Sequence, residues 1–297
     1  MTTVPVLLFT LATLSLCAAG FVQAADEVEV QAQPVADQLY MLQGQGGNIG
    51  LFTGPDGTFM IDDQFAPLTE KILHAASKVG GEMPRILINT HFHGDHTGGN
   101  EHFGQRGALI IGHDNVRSRL QQGTLIKAFS MKTLPQEGSA LPVLSFTESI
   151  RVHLNDETIE IFHLPRAHTD GDSVVHFTGR NVIHTGDLFF NGFYPFIDVD
   201  HGGSLSGMIA GVDRILALAD DDTLIIPGHG PLARKPQLQA YRTMLGTAYE
   251  RLKALHVQGK SLPQVLAAQP LADLEPLWGK GFLAGTRWIE IVYPGLD

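Results

Sequence analysis

The sequence predicts a mixed α/β domain in which β-sheets lie inside and helices cover them. Three observations lead to this prediction. Short apolar runs of strand length alternate with longer amphipathic stretches of helical spacing along most of the chain. Turn signals such as Pro55-Asp56-Gly57 join several of the predicted strands into hairpins. The 297 residues include 33 glycines and 16 prolines, which indicates many turns, and the 43% hydrophobic content is enough for a large core.

The individual elements are predicted from apolar periodicity and from the turn residues between them. The predicted strands are Val35–Leu42, Asn48–Thr53, Phe59–Ile61, Arg85–Asn89, Ala108–Ile111, Ser149–His153, Thr158–His163, Ser173–Phe177, Asn181–His184 and Thr223–Ile226. The predicted helices are Leu68–Lys78, Asn100–Gly104, Asp114–Gln121, Ser204–Ala219, Gln237–His256 and Leu262–Ala268. Residues 129–142 contain two prolines and are predicted to form a long loop. Since no linker interrupts the pattern, residues 25–297 are predicted to form one domain with a helical C-terminal extension.

The N-terminal segment has the features of a cleavable export signal. Residues 4–22 are almost wholly apolar and uncharged, and the run ends in Val22-Gln23-Ala24, a pattern typical of signal cleavage. We therefore predict that residues 1–24 are a signal peptide and that the mature protein is periplasmic or secreted, without stable membrane association. The alternative is an uncleaved anchor, because the run approaches the ~20 residues that span a bilayer. Cleavage would remove Cys17, the only cysteine, and leave His, Asp and Glu as metal ligands.

The charge balance limits the possible partners. The chain carries 31 acidic and 20 basic residues, a net charge of −11, and it has no obvious cluster of Lys and Arg. Proteins that bind nucleic acid neutralise phosphates with such clusters, so nucleic acid is not an expected partner. A small-molecule substrate is expected instead. The sequence does not indicate an oligomeric state.

The most informative motif is Thr90-His91-Phe92-His93-Gly94-Asp95-His96. It places three histidines and a carboxylate within six consecutive residues. Imidazole and carboxylate together suit zinc, iron or manganese. A regular helix or strand cannot direct all of these groups at one ion, so we predict a tight loop that supplies two ions. The alternative is a cluster of solvated loop histidines.

Three later positions share one local pattern. In each, a predicted strand ends, a turn of small residues follows, and a side chain that can bind a metal lies at the turn. These side chains are His168, Asp187 and His229. Loops at the ends of rigid strands can hold ligands in a preorganised geometry. The other histidines, including His163, His184 and His201, are interpreted as structural.

Taken in order, the motifs HFHGDH, AHTDGD, HTGD and PGHG resemble the metallo-β-lactamase superfamily over about residues 62–229. The resemblance implies an αββα sandwich with the metals at one edge, between two mixed β-sheets. It also implies two divalent ions, expected to be Zn²⁺, with iron or manganese as alternatives. The implied ligands are His91, His93 and His168 for the first ion, Asp95, His96 and His229 for the second, and Asp187 as a bridge. Asp62 would support the histidine loop, and Asp170 or Asp172 are alternatives to Asp187.

The resemblance further implies hydrolysis by a metal-bound hydroxide, with Asp95 orienting the water or taking up its proton. We expect cleavage of a β-lactam, lactone or ester. Thioesterase and phosphodiesterase activities are alternatives, because Asp187 occupies a position where those branches also carry aspartate. Two further alternatives are an iron-dependent oxidoreductase similar to persulfide dioxygenases and a non-catalytic metal-binding or sensing protein. The C-terminal region lacks the Arg/Lys-rich pattern expected of a glutathione thioesterase.

The segment from Asp187 to Asp198 is rich in aromatic residues and follows the bridging position directly. We interpret part of it as an apolar rim that binds a ring or acyl chain, with Phe193 among its members. Asn191 and Tyr194 are predicted to donate hydrogen bonds to a developing oxyanion. The alternative for these aromatic residues is core packing. The loop 129–142, with Phe129 and Met131, is expected to close over the site from the other side.

Overall fold

The computed structural model describes residues 28–296 of the protein. The predicted signal peptide, residues 1–24, lies outside these described residues and stays a prediction. Within 28–296, none of the helices has the length and apolar character that a membrane span requires.

The strands and helices follow the predicted alternation. The strands are β1 (Gln31–Ala36), β2 (Leu39–Gln43), β3 (Ile49–Phe52), β4 (Thr58–Ile61), β5 (Pro84–Asn89), β6 (Leu109–His113), β7 (Thr124–Ile126), β8 (Met131–Thr133), β9 (Leu144–Phe146), β10 (Ser149–Leu154), β11 (Glu157–His163), β12 (Ser173–Phe177), β13 (Val182–His184), β14 (Leu224–Ile226) and β15 (Ala233–Arg234). The helices are α1 (Thr69–Ser77), α2 (Gly94–Thr97), α3 (Asn100–Gln105), α4 (Asp114–Gln122), α5 (Leu205–Leu218), α6 (Lys235–Val257), α7 (Leu262–Ala268), α8 (Glu275–Trp278) and α9 (Gly285–Val292).

Both large sheets are mixed. The first has the order β1-β2-β3-β4-β5-β6-β9, antiparallel from β1 to β4 and parallel from β4 to β9. The second has the order β10-β11-β12-β13-β14-β15, in which β13 and β14 run parallel and the other neighbours antiparallel. Parallel neighbours bring their carboxyl ends to the same edge, so the loops that follow β4 and β5, and those that follow β13 and β14, emerge side by side.

The core has three layers of apolar contacts because successive strand residues face opposite sides of a sheet. In β4, Phe59 and Ile61 pack between the sheets, whereas Met60 packs on the outer face with residues of α1. In β14, Ile226 packs between the sheets, and Ile225 packs outside with residues of α5 and α6. The result is an αββα sandwich, and the predicted fold class is confirmed.

The C-terminal helices enlarge the outer layer on the second sheet. Tyr241 of α6, Trp278 of α8 and Trp288 of α9 are buried in one cluster with Ile225. The sequence predicts a helical extension here but does not predict α8 and α9 individually. Both are short, with 4 and 8 residues, so neither spans the window of about 11 residues over which a helical period is recognised.

Two predictions of local structure were wrong. The single strand Val35–Leu42 is two antiparallel strands, β1 and β2, because the chain reverses at Asp37-Gln38, where Gln38 has a φ of 58°. No Gly, Pro or Asn marks this reversal, and apolar residues flank it closely on both sides. The loop 129–142 is partly ordered: Met131–Thr133 forms β8, which pairs with β7 in a hairpin.

Candidate metal centre

The loops that carry the predicted ligands meet at one edge of the sandwich. The histidine motif follows β5, Asp187 follows β13, His229 follows β14, and His168 lies in the connection between β11 and β12. Backbone hydrogen bonds join the two sheets there, for example from the Ser173 amide to the Thr90 carbonyl at 2.8 Å. The edge is therefore rigid, and the side chains on its loops have fixed positions.

The first ligand group consists of His91, His93 and His168. The Nδ1 atom of His93 lies 2.9 Å from the Nε2 atom of His168 and 3.1 Å from the Nε2 atom of His91. The Oδ2 atom of Asp187 lies 3.4 Å from the His168 Nε2 atom and 3.8 Å from the His91 Nε2 atom. All four side chains are buried.

The second ligand group consists of Asp95, His96 and His229. The Nε2 atom of His229 lies 3.3 Å from the Oδ2 atom of Asp95 and 3.4 Å from the Nε2 atom of His96. Asp187 reaches this group too, since its Oδ1 atom is 3.1 Å from the His96 Nε2 atom and its Oδ2 atom is 3.4 Å from the His229 Nε2 atom. The Asp187 carboxylate therefore lies between both groups.

The hydrogen bonds behind the first group indicate where the imidazole protons are. The outer nitrogens of His93 and His168 face acceptors, the Asp198 carboxylate at 2.9 Å and the Phe196 carbonyl at 2.8 Å. Each outer nitrogen therefore carries the proton, and each inner nitrogen offers a lone pair. Lone pairs 2.9 Å apart repel each other unless a cation lies between them. The buried Oδ1 atom of Asp187 also makes no hydrogen bond. These donors fit divalent metal ions.

The ligand histidines differ in the direction of their pKa shifts, because burial dominates at some of them and neighbouring carboxylates dominate at His229. Burial lowers the pKa of His91, and it lowers the pKa of His168 to about 4, so both are neutral at pH 7, as metal ligands must be. Burial would also lower the pKa of His229, but the carboxylates of Asp187 and Asp95 outweigh it and raise this pKa to about 9. The second group thus attracts positive charge strongly, and a metal ion that binds there must displace a proton.

Asp62 lies beneath the histidine loop, where the sequence predicts it. Its Oδ1 atom accepts the Thr90 amide at 2.7 Å. Its Oδ2 atom accepts the Thr90 hydroxyl at 2.8 Å and lies 2.7 Å from the Nδ1 atom of His96. Asp62 has a left-handed backbone conformation, with a φ of 62°, which directs the carboxylate into the loop.

Neither alternative to Asp187 reaches the ligand groups. Asp170 forms an ion pair with Arg119 at 2.6 Å. Asp172 accepts the backbone amides of His168 and Thr169 at 2.7 and 2.8 Å, so it shapes the loop that carries His168. Burial raises the pKa of Asp172 to about 8 in spite of these hydrogen bonds.

Sequence reasoning missed Asp198 as part of the site. Its Oδ2 atom lies 2.9 Å from the Nε2 atom of His93 and 2.7 Å from the Nδ1 atom of His201. Burial would raise the pKa of Asp198, but these two hydrogen bonds outweigh it, and the carboxylate is ionised. Asp198 and His93 are 105 residues apart, so no local pattern could have joined them.

We expect Asp198→Asn to weaken zinc binding by about 10- to 100-fold, because a neutral amide orients the His93 ring less firmly than a carboxylate does. Competition with a chromophoric chelator measures the affinity. Asp200→Asn is the matched control, since Asp200 pairs with Lys127 at 2.8 Å on the exposed surface and should bind zinc as the unmodified protein does. Unchanged affinity in Asp198→Asn would contradict the assigned role.

A cavity of about 320 Å³ opens above the ligand groups. Asp95, Asp187, His93 and His229 line its base. Its apolar walls include six phenylalanines, which are Phe65, Phe129, Phe190, Phe193, Phe196 and Phe282. The predicted positions of Phe193, and of Phe129 and Met131 on the opposite side, agree with this lining.

The predicted oxyanion donors do not reach the cavity. Tyr194 is fully buried and stacks on Trp288, with ring centroids 5.0 Å apart, so its hydroxyl lies in the core. The Asn191 side chain donates a hydrogen bond to the Pro231 carbonyl at 2.8 Å, which stabilises its own loop, and it does not line the cavity. Both predictions were wrong because the segment after Asp187 curls, so that its residues alternate between the core and the cavity.

The fold and the site define a class of protein, an αββα sandwich with a candidate metal centre at one edge. Residues 42–229 match the family model of the metallo-beta-lactamase superfamily, and the chain belongs to this superfamily.

Its curated relatives include hydrolases. Hydroxyacylglutathione hydrolase of Polaromonas sp. (strain JS666 / ATCC BAA-500) is 28% identical over 193 residues, which cover 60% of this chain and 64% of that protein. The match therefore spans slightly less than two thirds of that relative's length. Acyl-coenzyme A thioesterase MBLAC2 of Gallus gallus is 23% identical over 226 residues, which cover 66% of this chain and 79% of that protein.

Solved structures show the same fold at low sequence identity. DIM-1 metallo-beta-lactamase has a TM-score of 0.59 and 15% identity, covering 75% of this chain and 100% of that one. The inverting sec-alkylsulfatase Pisa1 from Pseudomonas sp. has a TM-score of 0.61 and 17% identity, covering 80% of this chain and 45% of that one. At these identities the comparisons establish the fold alone.

Proposed function

We propose that the protein is a dinuclear metal-dependent hydrolase, loaded with zinc, that cleaves a carbonyl–heteroatom bond in a β-lactam, lactone or ester. The observation that carries the proposal is the position of Asp187. Its carboxylate lies within 3.1 to 3.8 Å of ligand nitrogens from both groups. A shared carboxylate is the arrangement that holds two ions close together, and the cavity opens directly onto it.

The residues of the two ligand groups would have the following roles. His91, His93 and His168 would hold one ion, Asp95, His96 and His229 the other, and Asp187 both. When bound, such ions make water acidic enough to act as a nucleophile at neutral pH and polarise the carbonyl oxygen.

Asp95 lies at the base of the cavity with 28% of its side chain exposed. Burial would raise the pKa of Asp95, but the charges of His96 and His229 lower it. The carboxylate is therefore ionised and can orient a water molecule or take up its proton. The phenylalanine walls exclude bulk water from the substrate.

Thioester hydrolysis is a second candidate, and the relatives favour it. One relative named above is an acyl-coenzyme A thioesterase, and the other is a hydroxyacylglutathione hydrolase. A thioester carbonyl would use the same ligand groups and the same Asp95. A panel of β-lactams, lactones, esters, thioesters and phosphodiesters distinguishes these activities.

Removal of metal is expected to abolish hydrolysis, and added zinc is expected to restore it. Metal analysis of the purified protein should give about two zinc ions per chain, since the two ligand groups share one carboxylate. The control is addition of zinc to protein that has not been chelated, which should leave the rate unchanged. Hydrolysis that survives full chelation would refute the proposal. Stoichiometric iron without zinc would favour the oxidoreductase alternative, and bound zinc with no activity on the panel would favour the sensing alternative.

A further inference from the structure

The cavity walls are apolar, and its polar groups are concentrated at the base. Among the described residues that line it, none is Lys or Arg, and the acidic side chains are Asp95 and Asp187. A buried anionic group on a substrate needs a fixed cation or several hydrogen-bond donors. Away from the ligand groups at the base, where the proposed metal ions would themselves be positive, the lining therefore offers an anionic group no cationic side chain.

The two lysines of the hairpin β7–β8 and its turn, Lys127 and Lys132, do not supply a cation to the cavity. Met131 and Thr133 line the cavity, so Lys132 between them faces the opposite side of the strand. Lys127 pairs with Asp200 at 2.8 Å and lines a separate cavity behind Ile126 and Phe196. A substrate in the cavity above the ligand groups contacts neither lysine.

Phe282 closes the cavity from the C-terminal region. It lies between α8 and α9, beyond the residues that match the superfamily model. Its ring centroid is 6.2 Å from Phe129 of the hairpin, 6.0 Å from Phe193 and 6.2 Å from Phe190. Phe282 is 56% exposed and Phe129 is 36% exposed. Large apolar side chains that stay exposed around one opening are typical of a ligand-binding site.

We propose that this site takes compact substrates whose part away from the metals is an uncharged, apolar ring or acyl chain, and that Phe282 determines this specificity. The inference rests on the proposed function for the reaction, and it adds which substrates the cavity binds. The volume of about 320 Å³ is at the lower end for ligand cavities, so a large anionic carrier such as coenzyme A does not fit inside. Phe282 contacts other phenylalanines of the walls, so it covers a part of the substrate away from the metals.

The first test measures binding, so it does not depend on turnover. N-phenyl-1-naphthylamine is an uncharged fluorescent probe, and 1-anilinonaphthalene-8-sulfonate is the same ring system with a sulfonate. The uncharged probe should bind at least about tenfold more tightly. Phe282→Ala should weaken its binding by about tenfold because half of a phenylalanine contact is lost. Leu277→Ala is the matched control, since Leu277 is 62% exposed on α8 and lies outside the cavity lining.

Tighter binding of the sulfonate probe, or equal binding by Phe282→Ala and Leu277→Ala, would overturn the proposal. A melting temperature equal to that of the unmodified protein shows that the exposed substitution has left the fold intact.

The second test measures specificity in turnover. p-Nitrophenyl hexanoate and the monoester p-nitrophenyl adipate share a leaving group and chain length, but the adipate ends in a carboxylate. The hexanoate should have a kcat/KM at least about tenfold higher. Phe282→Ala should raise the KM for hexanoate and leave kcat within about twofold, because the residue lies away from the reacting carbonyl. Preference for the adipate would overturn the specificity. If no member of the substrate panel reacts but the probes behave as expected, the proposed function fails and the binding inference stands.

Discussion

Asp187→Asn is expected to lower hydrolytic turnover by about a thousandfold or more, because it removes the one carboxylate that would serve both of the proposed ions. The Asp187 side chain is 5% exposed and faces His91, His96, His168 and His229. An amide in its place offers one neutral oxygen and cannot balance the charge of two cations. Bound metal should fall from about two ions per chain to one or fewer. Metal analysis and initial rates measure both effects on the same preparation.

Asp170→Asn is the matched control for this experiment. Asp170 is the neighbouring aspartate that the motif AHTDGD offers as an alternative ligand, but it pairs with Arg119 at 2.6 Å. The Asp170→Asn protein should keep its metal content and most of its activity. The opposite pattern, with metal lost from Asp170→Asn and kept by Asp187→Asn, would show that the bridging ligand has been misassigned.

Asp95→Asn is expected to lower turnover by about 10²- to 10⁴-fold while the protein stays folded. The amide has the same shape as the carboxylate, and the side chain lies at the base of the cavity, where the substitution disturbs little packing. An amide cannot take up a proton from water, and it binds a metal ion less tightly. Initial rates, with the melting temperature as a check on folding, measure the result.

Asp114→Asn controls for the position of Asp95 within its helix. Both aspartates lie in the first turn of a helix, where a negative charge is stabilised by the backbone amides. Asp114 is exposed and lies outside the ligand groups. The Asp114→Asn protein should therefore keep normal turnover. Near-normal turnover in Asp95→Asn would contradict the role assigned to this carboxylate.

Much of the fold follows from local signals. Long amphipathic helices were predicted within about two residues of their observed bounds, for example Gln237–His256 against Lys235–Val257, because the helical period repeats many times. The strand Arg85–Asn89 was also predicted, since a short apolar run ends in a cluster of polar residues. The predicted tight loop after it is only partly observed, because Gly94–Thr97, with Asp95 and His96, forms the short helix α2. The predictions failed where one weak turn decides the chain direction, as at Asp37-Gln38.

The sequence by itself determined which side chains are offered as metal ligands and that each lies just after a strand, because both properties belong to short, continuous segments. Only the tertiary structure decided which of these groups meet. It placed Asp198 against His93, turned Tyr194 into the core, and brought Phe282 over the cavity. These contacts join segments that are far apart in the chain. They depend on how the sheets and C-terminal helices pack, and local sequence patterns carry no information about that packing.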